Sequence, residues 1–430
     1  MNTHATAIHP TLGKYAAFIG LDWSHGEHAC TLFCPATASS EHIRVQSDPA
    51  SLRAWFAQLK ARFNTAPVAL CVEHHRGLLM RELARCEWID VYAINPATAA
   101  GYRRVFTPSG DKSDERDATA LLDILMTHPQ SLRVLAQRPE RARVLEGLCR
   151  ARRKAVDGRT RFIEALVDLL RTHYPLAMEM VGDKLALPMA LAFLRRWKST
   201  RELLKVRPST LRTFFYKHGS RSSARFERRL AALEAAPQDE PHDEPDEVFA
   251  LRLTEMLDAI ETASKAVSAY EAAIRKQTRE DERAEFFEQL PGAGPAMAPR
   301  LLAAFRLVDP DSAAQMQVET GIAPIRLQTG SSLRTYMRRL CSKFLRQTLH
   351  EYAGCSIRYS LWAKGFYEYA TQVRKMKPQA AKRALAFKWV RVLTACWKSG
   401  QAYDEGRYIE TLHRKGVAYL NYLQPEQKNA

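Results

Sequence analysis

The sequence predicts an α/β domain at the N-terminal end, followed by a long and mainly helical remainder. Between residues 15 and 128, three strand-like runs come first and further strands then alternate with helices. That order is typical of a mixed sheet covered by helices. Beyond residue 138, apolar residues recur at helical spacing. With 430 residues, the chain has room for two or three domains.

Each element of the first domain has a local reason. Three short runs rich in strand-forming residues begin the domain and indicate three strands. The next segment carries Leu52, Trp55, Phe56 and Leu59 at helical spacing, which indicates a helix. The predicted strands are 16–24, 28–34, 42–46, 67–73 and 89–95, the last stopped by Pro96, and the predicted helices are 51–63, 77–86 and 114–128.

The middle of the chain is predicted to be helical and partly coiled-coil-like. Helical patterns cover 138–175, 183–236 and 248–288. The segment 237–247, PQDEPHDEPDE, is acidic and rich in proline, which predicts an exposed linker. The predicted domains are a leader at 1–14, an α/β domain at 15–130, a helical middle region at 131–288, a C-terminal domain at 289–415 and a tail at 416–430.

The charge composition points to a polyanionic partner. Lys and Arg number 64 against 47 Asp and Glu, so the formal net charge is +17. The eight cysteines form no close CxxC pair, so we expect reduced thiols rather than a zinc site. We find no signal-peptide pattern, and no run approaches the roughly 20 apolar residues that cross a membrane.

Four acids lie at positions that the predicted strands and helix would bring close together. Asp22 and Glu73 each end an apolar strand, while Asp114 and Asp117 lie three apart at the start of a helix and share a face. Carboxylates at the ends of buried strands are unfavourable unless a cation meets them. Their oxygens suit Mg²⁺ or Mn²⁺ acting on phosphate esters, as in a ribonuclease-H-like domain. The alternative is a set of ordinary surface acids. Weaker candidates nearby are Asp111 and Glu115.

A second candidate site lies in the C-terminal domain. Thr329, Ser331 and Ser332 flank Gly330 in a predicted loop that basic residues follow. A nucleophilic hydroxyl must lose its proton while the phosphate charge is neutralised, and Arg can neutralise it bidentately. The alternative is a turn or helix-capping hydroxyl. The basic residues expected to contact nucleic acid are Arg334, Arg338, Arg339, Lys343 and Arg346.

Two further features of this domain suit a nucleic-acid partner. From residue 326 to 398 there are sixteen Lys or Arg against two acids, with aromatic residues between them. Cations neutralise phosphates and exposed rings can stack on bases; core packing is the alternative for the rings and is favoured for Trp389 and Phe387. A glycine-rich turn at 290–295 resembles a helix–hairpin–helix element, with a plain interhelical turn as the alternative.

Together these pieces resemble the DEDD transposases of the insertion-sequence 110 type, whose relatives include the Piv-type DNA invertases. The motifs occur in the family order and spread over most of the chain. They are Gly20-Leu21-Asp22, Val72-Glu73, Ile94-Asn95-Pro96, the run 112–118, the run 290–294, Gly321-Ile322-Ala323-Pro324, the run 329–332 and the run 343–347.

The resemblance implies a RuvC-type resolvase fold for the first domain, with Asp22, Glu73, Asp114 and Asp117 as metal ligands. It implies a mainly helical C-terminal transposase domain whose hydroxyl attacks DNA and becomes covalently linked to it. It further implies a homo-oligomer, dimer to tetramer, that acts on donor and target duplexes with sites composed across subunits. An element-encoded bridge RNA would pair with both duplexes. The expected location is the bacterial cytoplasm, at the nucleoid.

One motif departs from the family. The nucleophile motif usually reads Ser-Gly, whereas this chain has Thr329-Gly330. Threonine can attack, but its extra methyl group restricts the side chain and crowds the approach. Thr329 is the first candidate by position and Ser331 the second, while Ser332 and an impaired copy stay open.

Two other functions stay open as well. A metal-dependent nuclease like a Holliday-junction resolvase would hydrolyse DNA with water, although the hydroxyl loop of the C-terminal domain would then have no role. A non-catalytic nucleic-acid-binding protein would explain the positive charge, although acids near DNA weaken binding.

Overall fold

The computed structural model describes residues 9–73, 77–94, 96–106, 113–135, 139–237, 246–338 and 341–422. The chain divides into two compact units, residues 1–139 and residues 140–430. In the described residues, the first unit contains a six-stranded sheet, and the second is helical apart from one two-stranded hairpin. No helix in these ranges is long and apolar enough to cross a membrane.

The first unit has the strand topology of a ribonuclease-H-like fold. Its elements are β1 (Ala17–Asp22), β2 (Glu27–Cys34), β3 (Ser39–Gln46), α1 (Pro49–Arg62), β4 (Val68–Val72), α2 (Leu78–Leu83), β5 (Ile89–Ala93), α3 (Pro96–Phe106), α4 (Asp114–Thr127) and β6 (Arg133–Val134). The strand order is β3-β2-β1-β4-β5-β6. Strands β1, β4 and β5 are parallel, whereas β2, β3 and β6 each run antiparallel to a neighbour. This arrangement confirms the predicted fold class.

Both faces of this sheet are covered, which accounts for the continuous apolar runs of its central strands. One face packs against α1 and α2 through residues such as Leu52 and Leu83. The other packs against α4 through Leu121 and Leu125. Helix α3 and the short strand β6 are absent from the sequence prediction. Pro96, which was read only as the end of a strand, is also the first residue of α3, a position where its fixed φ and missing N–H are tolerated.

Helix α4 packs directly onto β1 at Gly20. A Cβ atom at this position would lie 2.0 Å from the carbonyl oxygen of Ala118 and 2.4 Å from the backbone nitrogen of Leu122. Backbone atoms cannot rotate away from such a contact as a side chain can. The missing side chain of Gly20 therefore allows the first turn of α4 to lie beside the end of β1.

We expect Gly20→Ala to destabilise the first unit by about 3 kcal/mol or more, because the added methyl group forces α4 off the sheet. Hydrogen exchange of the amides in β1 and β4 would measure this. The control is Gly101→Ala on α3, where a Cβ atom meets nothing within 4 Å and alanine favours the helix. Equal protection in the two variants would contradict the close approach of α4.

The second unit is built on two long helices. Its elements are α5 (Glu140–His173), α6 (Pro175–Val181), α7 (Pro188–Arg196), α8 (Thr200–Leu204), α9 (Pro208–Lys217), α10 (Ser223–Glu234), α11 (Asp246–Arg279), α12 (Ala284–Glu288), α13 (Gly294–Val308), α14 (Ala313–Glu319), β7 (Ile325–Thr329), β8 (Ser332–Tyr336), α15 (Lys343–Ser356), α16 (Leu361–Glu368), a π-helical turn (Tyr369–Val373), α17 (Pro378–Ser399) and α18 (Glu405–Arg414).

Helices α5 and α11 form the coiled-coil-like pair that the sequence predicts. Each has 34 residues and is therefore about 50 Å long. They run antiparallel, since Arg152 pairs with Glu271 at 2.7 Å and Arg141 pairs with Glu280 at 3.9 Å. The predicted helix 248–288 is wrong at its end, because α11 stops at Arg279 and α12 is separate. Asp281 stabilises the break by accepting hydrogen bonds from the Arg283 backbone and from the Arg306 side chain.

Each end of this helix pair belongs to a different hydrophobic core. Helices α6–α10, which cover residues 175–234, are here called the middle module. They pack together with α5 and α11 around Phe193, Phe215 and Phe226. Helices α12–α18 pack around Trp362 and Trp389 with the opposite end of the pair. Segment 183–236, predicted as helical, is four short helices. Two of them begin at prolines, which favour the first turn and cannot continue a preceding helix.

Glu351 of α15 joins three helices of the second unit. Its carboxylate accepts hydrogen bonds from Arg153 of α5 at 3.0 Å, from Arg300 of α13 at 2.5 Å and from Gln347 at 2.8 Å. Burial by itself would raise the pKa of Glu351, but the two guanidinium groups and Gln347 outweigh it and hold the pKa below its usual range. The ionised carboxylate therefore stabilises the fold.

We expect Glu351→Gln to destabilise the second unit by about 3 kcal/mol, since it leaves the nearly buried Arg300 without its counter-ion. A group whose pKa is lowered by folding stabilises the protein above its unfolded pKa and loses that effect as the pH falls through the folded value. The wild-type chain should therefore lose stability in acid more steeply than the variant, as urea unfolding at several pH values would measure. Glu282→Gln is the control, because that side chain is 82% exposed, and it should change stability by less than about 0.5 kcal/mol. Equal stability of the two variants would contradict this role.

Candidate functional site

Asp22 and Glu73 occupy neighbouring positions at the end of two parallel strands. Leu21 of β1 lies opposite Val72 of β4, so the next residue along each chain is one of the two acids. Side chains alternate between the faces of a sheet. Because Leu21 and Val72 belong to the core beneath α1 and α2, both acids turn toward the face that α4 covers. Both are half-buried.

Asp114 and Asp117 lie in the first turn of α4. Ser113 caps this helix by accepting a hydrogen bond from the Arg116 backbone at 3.3 Å. The two acids are on one face, as the spacing predicts, but their surroundings differ: Asp114 is exposed and Asp117 is only 6% exposed. Asp114 is the first helical residue, so it does not cap the helix itself.

The buried carboxylate of Asp117 is only partly satisfied. Its Oδ2 atom pairs with the guanidinium of Arg103 on α3 at 2.5 Å. Its Oδ1 atom is buried and accepts no hydrogen bond from the described residues. An unsatisfied buried carboxylate oxygen is costly, so it has the capacity to bind a further cation.

A small cavity of about 10 Å³ connects Asp117 with Glu73. This is about the room that one water molecule occupies. Its polar lining comes from Glu73, Asp117, Arg103 and Tyr102, and its apolar lining from Ala99, Ala120, Leu121 and Ile124. Glu73 and Asp117, which are 44 positions apart in the chain, thus line one cavity.

The donor groups on this face suit a hard divalent ion in their chemistry. Burial, with a smaller effect of the nearby Glu73 carboxylate, raises the pKa of the Cys71 thiol on this face. Burial, with a smaller effect of Asp22, likewise raises the pKa of the Cys30 thiol on the opposite face. These thiols stay protonated, so oxygen ligands remain, as Mg²⁺ and Mn²⁺ prefer. In this structure, however, no three Asp, Glu, His or Cys side chains of the described residues lie close enough together to hold an ion.

Glu115 and His28 lie near the four acids but turn in other directions. Glu115 pairs with Arg44 of β3 at 3.1 Å, so it turns toward the edge of the sheet. His28 lies on the face opposite Asp22, since Asp22 pairs with Ala29 in the β1–β2 register, and burial lowers the pKa of His28. Asp111, the weaker candidate ahead of α4, lies outside the described residues, as do His74 and His75, which follow Glu73 in the chain.

The hydroxyl candidates lie on a hairpin rather than in an irregular loop. Thr329 ends β7 and pairs with Ser332 at the start of β8, and Gly330 and Ser331 form the two-residue turn. Gly330 has a φ of +57°, which the first turn position of a type II′ hairpin requires and glycine allows. All four residues are exposed.

The basic residues of the hairpin and of the segment that follows it have different environments. Arg334 lies opposite Leu327 in β8 and shares the face of Thr329 and Ser332. Lys343 is exposed at the start of α15. The side chain of Arg346 donates a hydrogen bond at 3.2 Å to the carbonyl oxygen of the half-buried Arg338. Arg339 lies outside the described residues.

Most of the interleaved aromatic residues are core residues, which corrects the stacking expectation. Tyr352, Trp362, Phe366 and Trp389 are buried, as the core alternative predicted for Trp389. The exposed rings are Tyr336, 46% exposed, and Tyr359, 67% exposed. At the glycine-rich turn, a Cβ atom at Gly292 would lie 3.0 Å from the Cys355 carbonyl oxygen, so tight packing accounts for that glycine.

Arg103 is the residue of this site that the sequence analysis missed. It lies on α3, a helix that the prediction lacked. Its only sequence signal is the basic pair Arg103-Arg104 behind a proline-initiated segment, which could equally belong to any surface helix.

Comparisons with known proteins identify the family of this chain. Residues 19–175 match the model of the DEDD transposases of the IS110 type, and residues 284–368 match that of the "Transposase IS116/IS110/IS902 family". The chain is also 25% identical to the "Mini-circle putative transposase for IS117" of Streptomyces coelicolor. The alignment of 406 residues covers 92% of this chain and 97% of that relative. The first match contains all four acids and the second contains the hydroxyl hairpin. The chain therefore belongs to the IS110-type transposases, enzymes of DNA transposition whose substrate is DNA.

Proposed function

We propose that this transposase cuts and rejoins DNA through two groups of residues: the acids Asp22, Glu73, Asp114 and Asp117, and a hydroxyl of the β7–β8 hairpin. The acids would hold Mg²⁺ or Mn²⁺, which when bound supplies positive charge that stabilises the oxyanions of a phosphodiester under attack. The observation that carries the proposal is the convergence on one sheet face of Asp22, Glu73 and the first turn of α4. Three features support it.

The first feature is the unsatisfied Oδ1 atom of Asp117. Burying the Asp117 carboxylate is costly, and among the described residues Arg103 is its one counter-ion. A bound divalent ion would add two further positive charges. The second is the cavity shared by Glu73 and Asp117. The third is the close packing at Gly20, which fixes α4 against β1.

The hairpin hydroxyl would act as the nucleophile. The Thr329 oxygen loses its proton and forms a bond to phosphorus, while the bond from phosphorus to one bridging oxygen of the DNA breaks and that strand end leaves as an alcohol. Arg334, on the same hairpin face, would neutralise the phosphate. The phosphodiester backbone of the DNA would be contacted by Lys343, Arg338, Arg339 and Arg346.

Further components belong to the same proposal. A homo-oligomer, dimer to tetramer, would bring donor and target duplexes together, and an element-encoded RNA would select both by base pairing. The charge of +17 suits both nucleic acids. The reaction would take place on bacterial DNA in the cytoplasm. The name of the Streptomyces relative refers to a mini-circle, so a circular donor is the first substrate to test.

The decisive assay is recombination between a circular donor and a target duplex. The reaction contains the element-encoded non-coding RNA and either Mg²⁺ or EDTA. Denaturing electrophoresis of labelled DNA would detect a covalent protein–DNA adduct. We expect product and adduct with Mg²⁺ and neither with EDTA. Cleavage without any adduct would support a resolvase-like hydrolase, and binding without cleavage would support a non-catalytic nucleic-acid-binding protein.

A further inference from the structure

The middle module carries a strong positive charge that neither candidate site uses. Residues 195–229 contain twelve Lys or Arg against two acids, Glu202 and Glu227. Almost all of the module lies between the two family matches, which end at residue 175 and resume at residue 284. Its function is therefore not given by the family description.

A groove of about 410 Å³ opens on the surface of this module. Its lining combines two cations, three hydroxyl groups, an imidazole and one aromatic ring. The residues are Arg196, Lys217, Ser209, Thr210, Thr213, His218 and Phe214. No carboxylate lines the groove, so its chemistry suits an anion with several oxygen atoms.

The two cations of the groove have no acidic partner among the described residues, whereas Arg195 and Arg212 on the same two helices each pair with an acid. Arg195 pairs with Asp258 and Glu261 at 2.6 and 2.8 Å. Arg196 and Lys217 are both exposed, and no acid within the described ranges pairs with either of them. Their charges are thus available to an external anion.

The Arg196 side chain is also held in place. Its guanidinium carbon lies 4.7 Å from the ring centre of Trp197 and 6.0 Å from that of Phe214. Stacking of this kind orients the planar fork and lowers the entropy lost when it binds a phosphate. The two rings pack against the buried Phe193, so the groove stands on a rigid core.

Arg229 lies within the same core and bonds to neutral oxygen atoms rather than to an acid. Arg229 is 6% exposed and donates hydrogen bonds to the Met180 carbonyl oxygen and the Ser220 hydroxyl at 2.7 and 2.9 Å. Its guanidinium lies 3.7 Å from the ring centre of Phe215. The module therefore buries one cation for structure and leaves others at its surface.

We propose that the middle module is a nucleic-acid clamp whose groove binds the phosphodiester backbone. Hydroxyl groups and cations are the usual donors to phosphate oxygens. Of the two rings in the groove, Phe214 is buried and the His218 imidazole is half-buried. We therefore expect little base stacking there and binding that does not depend on sequence. The proposal rests on the proposed function only in taking a nucleic acid as substrate.

The test uses the full-length chain with Arg196→Gln and Lys217→Gln combined. The control combines Arg225→Gln and Arg228→Gln, which removes the same charge from exposed positions of α10 outside the groove. Fluorescence anisotropy would measure the affinity for duplex DNA and for duplex RNA of the same sequence over a range of salt concentrations. We expect the groove variant to bind at least one of them on the order of tenfold more weakly, with the slope of log K against log salt reduced by roughly 2. Equal losses in both variants would overturn the clamp.

A cross-link gives a readout that does not depend on substitution of the cations. A photoreactive phenylalanine analogue at Thr213, in the groove, should cross-link to the labelled nucleic acid, while the same analogue at Ser223 of α10 should not. Labelled DNA and labelled RNA, tested separately, identify which of them the groove holds. Absence of a cross-link to both, or equal cross-linking from Ser223, would overturn the proposal.

The proposed clamp and the proposed reaction can be contradicted independently of each other. Asp22→Asn should leave the Thr213 cross-link unchanged even if it stops cleavage. Conversely, a chain that cross-links at Thr213 but yields no recombination would contradict the proposed reaction and support the clamp.

Discussion

Replacing Asp22 by Asn is expected to reduce DNA cleavage on the order of 10³-fold or more. The change removes one negative charge from the acid face while preserving shape and β1 pairing. Because the proposed ion acts by stabilising charge in the transition state, the loss of a ligand should lower the rate rather than the affinity for DNA. The recombination assay with Mg²⁺ measures the rate, and Glu73→Gln should behave in the same way.

Glu115→Gln is the matched control for this experiment. It removes an equal charge from the same turn of α4 that carries Asp114 and Asp117, but its carboxylate turns toward Arg44. We expect cleavage within about threefold of wild type, since surface ion pairs contribute little. Calorimetric titration with Mn²⁺ adds a readout besides activity, in which Asp22→Asn should weaken binding and Glu115→Gln should not. Wild-type cleavage by Asp22→Asn would remove the basis of the proposed acid site.

Replacing Thr329 by Ala should abolish the covalent protein–DNA adduct and strand joining while DNA binding stays intact. Thr329 ends β7 and shares a hairpin face with Arg334, so its hydroxyl and a phosphate-binding cation lie on one side. Without the oxygen, no bond to phosphorus can form. We therefore expect the adduct to fall below detection, a loss on the order of 10³-fold or more.

The neighbouring hydroxyl groups provide the controls. Ser331→Ala alters the turn and Ser332→Ala alters the residue paired with Thr329, and both variants should keep the adduct. Thr329→Ser should also keep it, because the oxygen remains and the methyl group that restricts χ1 is lost. An adduct that survives Thr329→Ala but disappears in Ser331→Ala would assign the nucleophile to Ser331. An adduct absent from the wild-type chain but present in Thr329→Ser would indicate an impaired copy.

Both candidate sites could be predicted from the sequence as sets of residues, but not as arrangements. Apolar runs ending at Asp22 and Glu73 predicted strand ends, and the spacing of Asp114 and Asp117 predicted a shared helix face. The pairing of Arg103 with Asp117 could not be predicted, because it depends on how α3 packs against α4. The groove of the middle module was missed for the same reason, since Arg196 and Lys217 are 21 positions apart and meet only through the packing of α7 against α9.

The hydroxyl motif gives a similar contrast. Its Thr-Gly-Ser-Ser sequence identified the candidate hydroxyl groups, while the hairpin register decided that Thr329 and Ser332 face each other and that Arg334 shares their face. Among the aromatic residues that follow it, Tyr359 and Trp362 could not be told apart by sequence. Tyr359 and Trp362 are three positions apart, yet one is 67% exposed and the other is buried.

The sequence alone determined the fold class, the family and the types of side chain available for chemistry, because strand and helix periodicity and the order of motifs are properties of neighbouring residues. The tertiary structure alone decided which charges meet. Whether a carboxylate is exposed like Asp114 or buried against an arginine like Asp117 depends on atoms from distant segments, since the cost of a charge is set by the dielectric and the counter-ions around it.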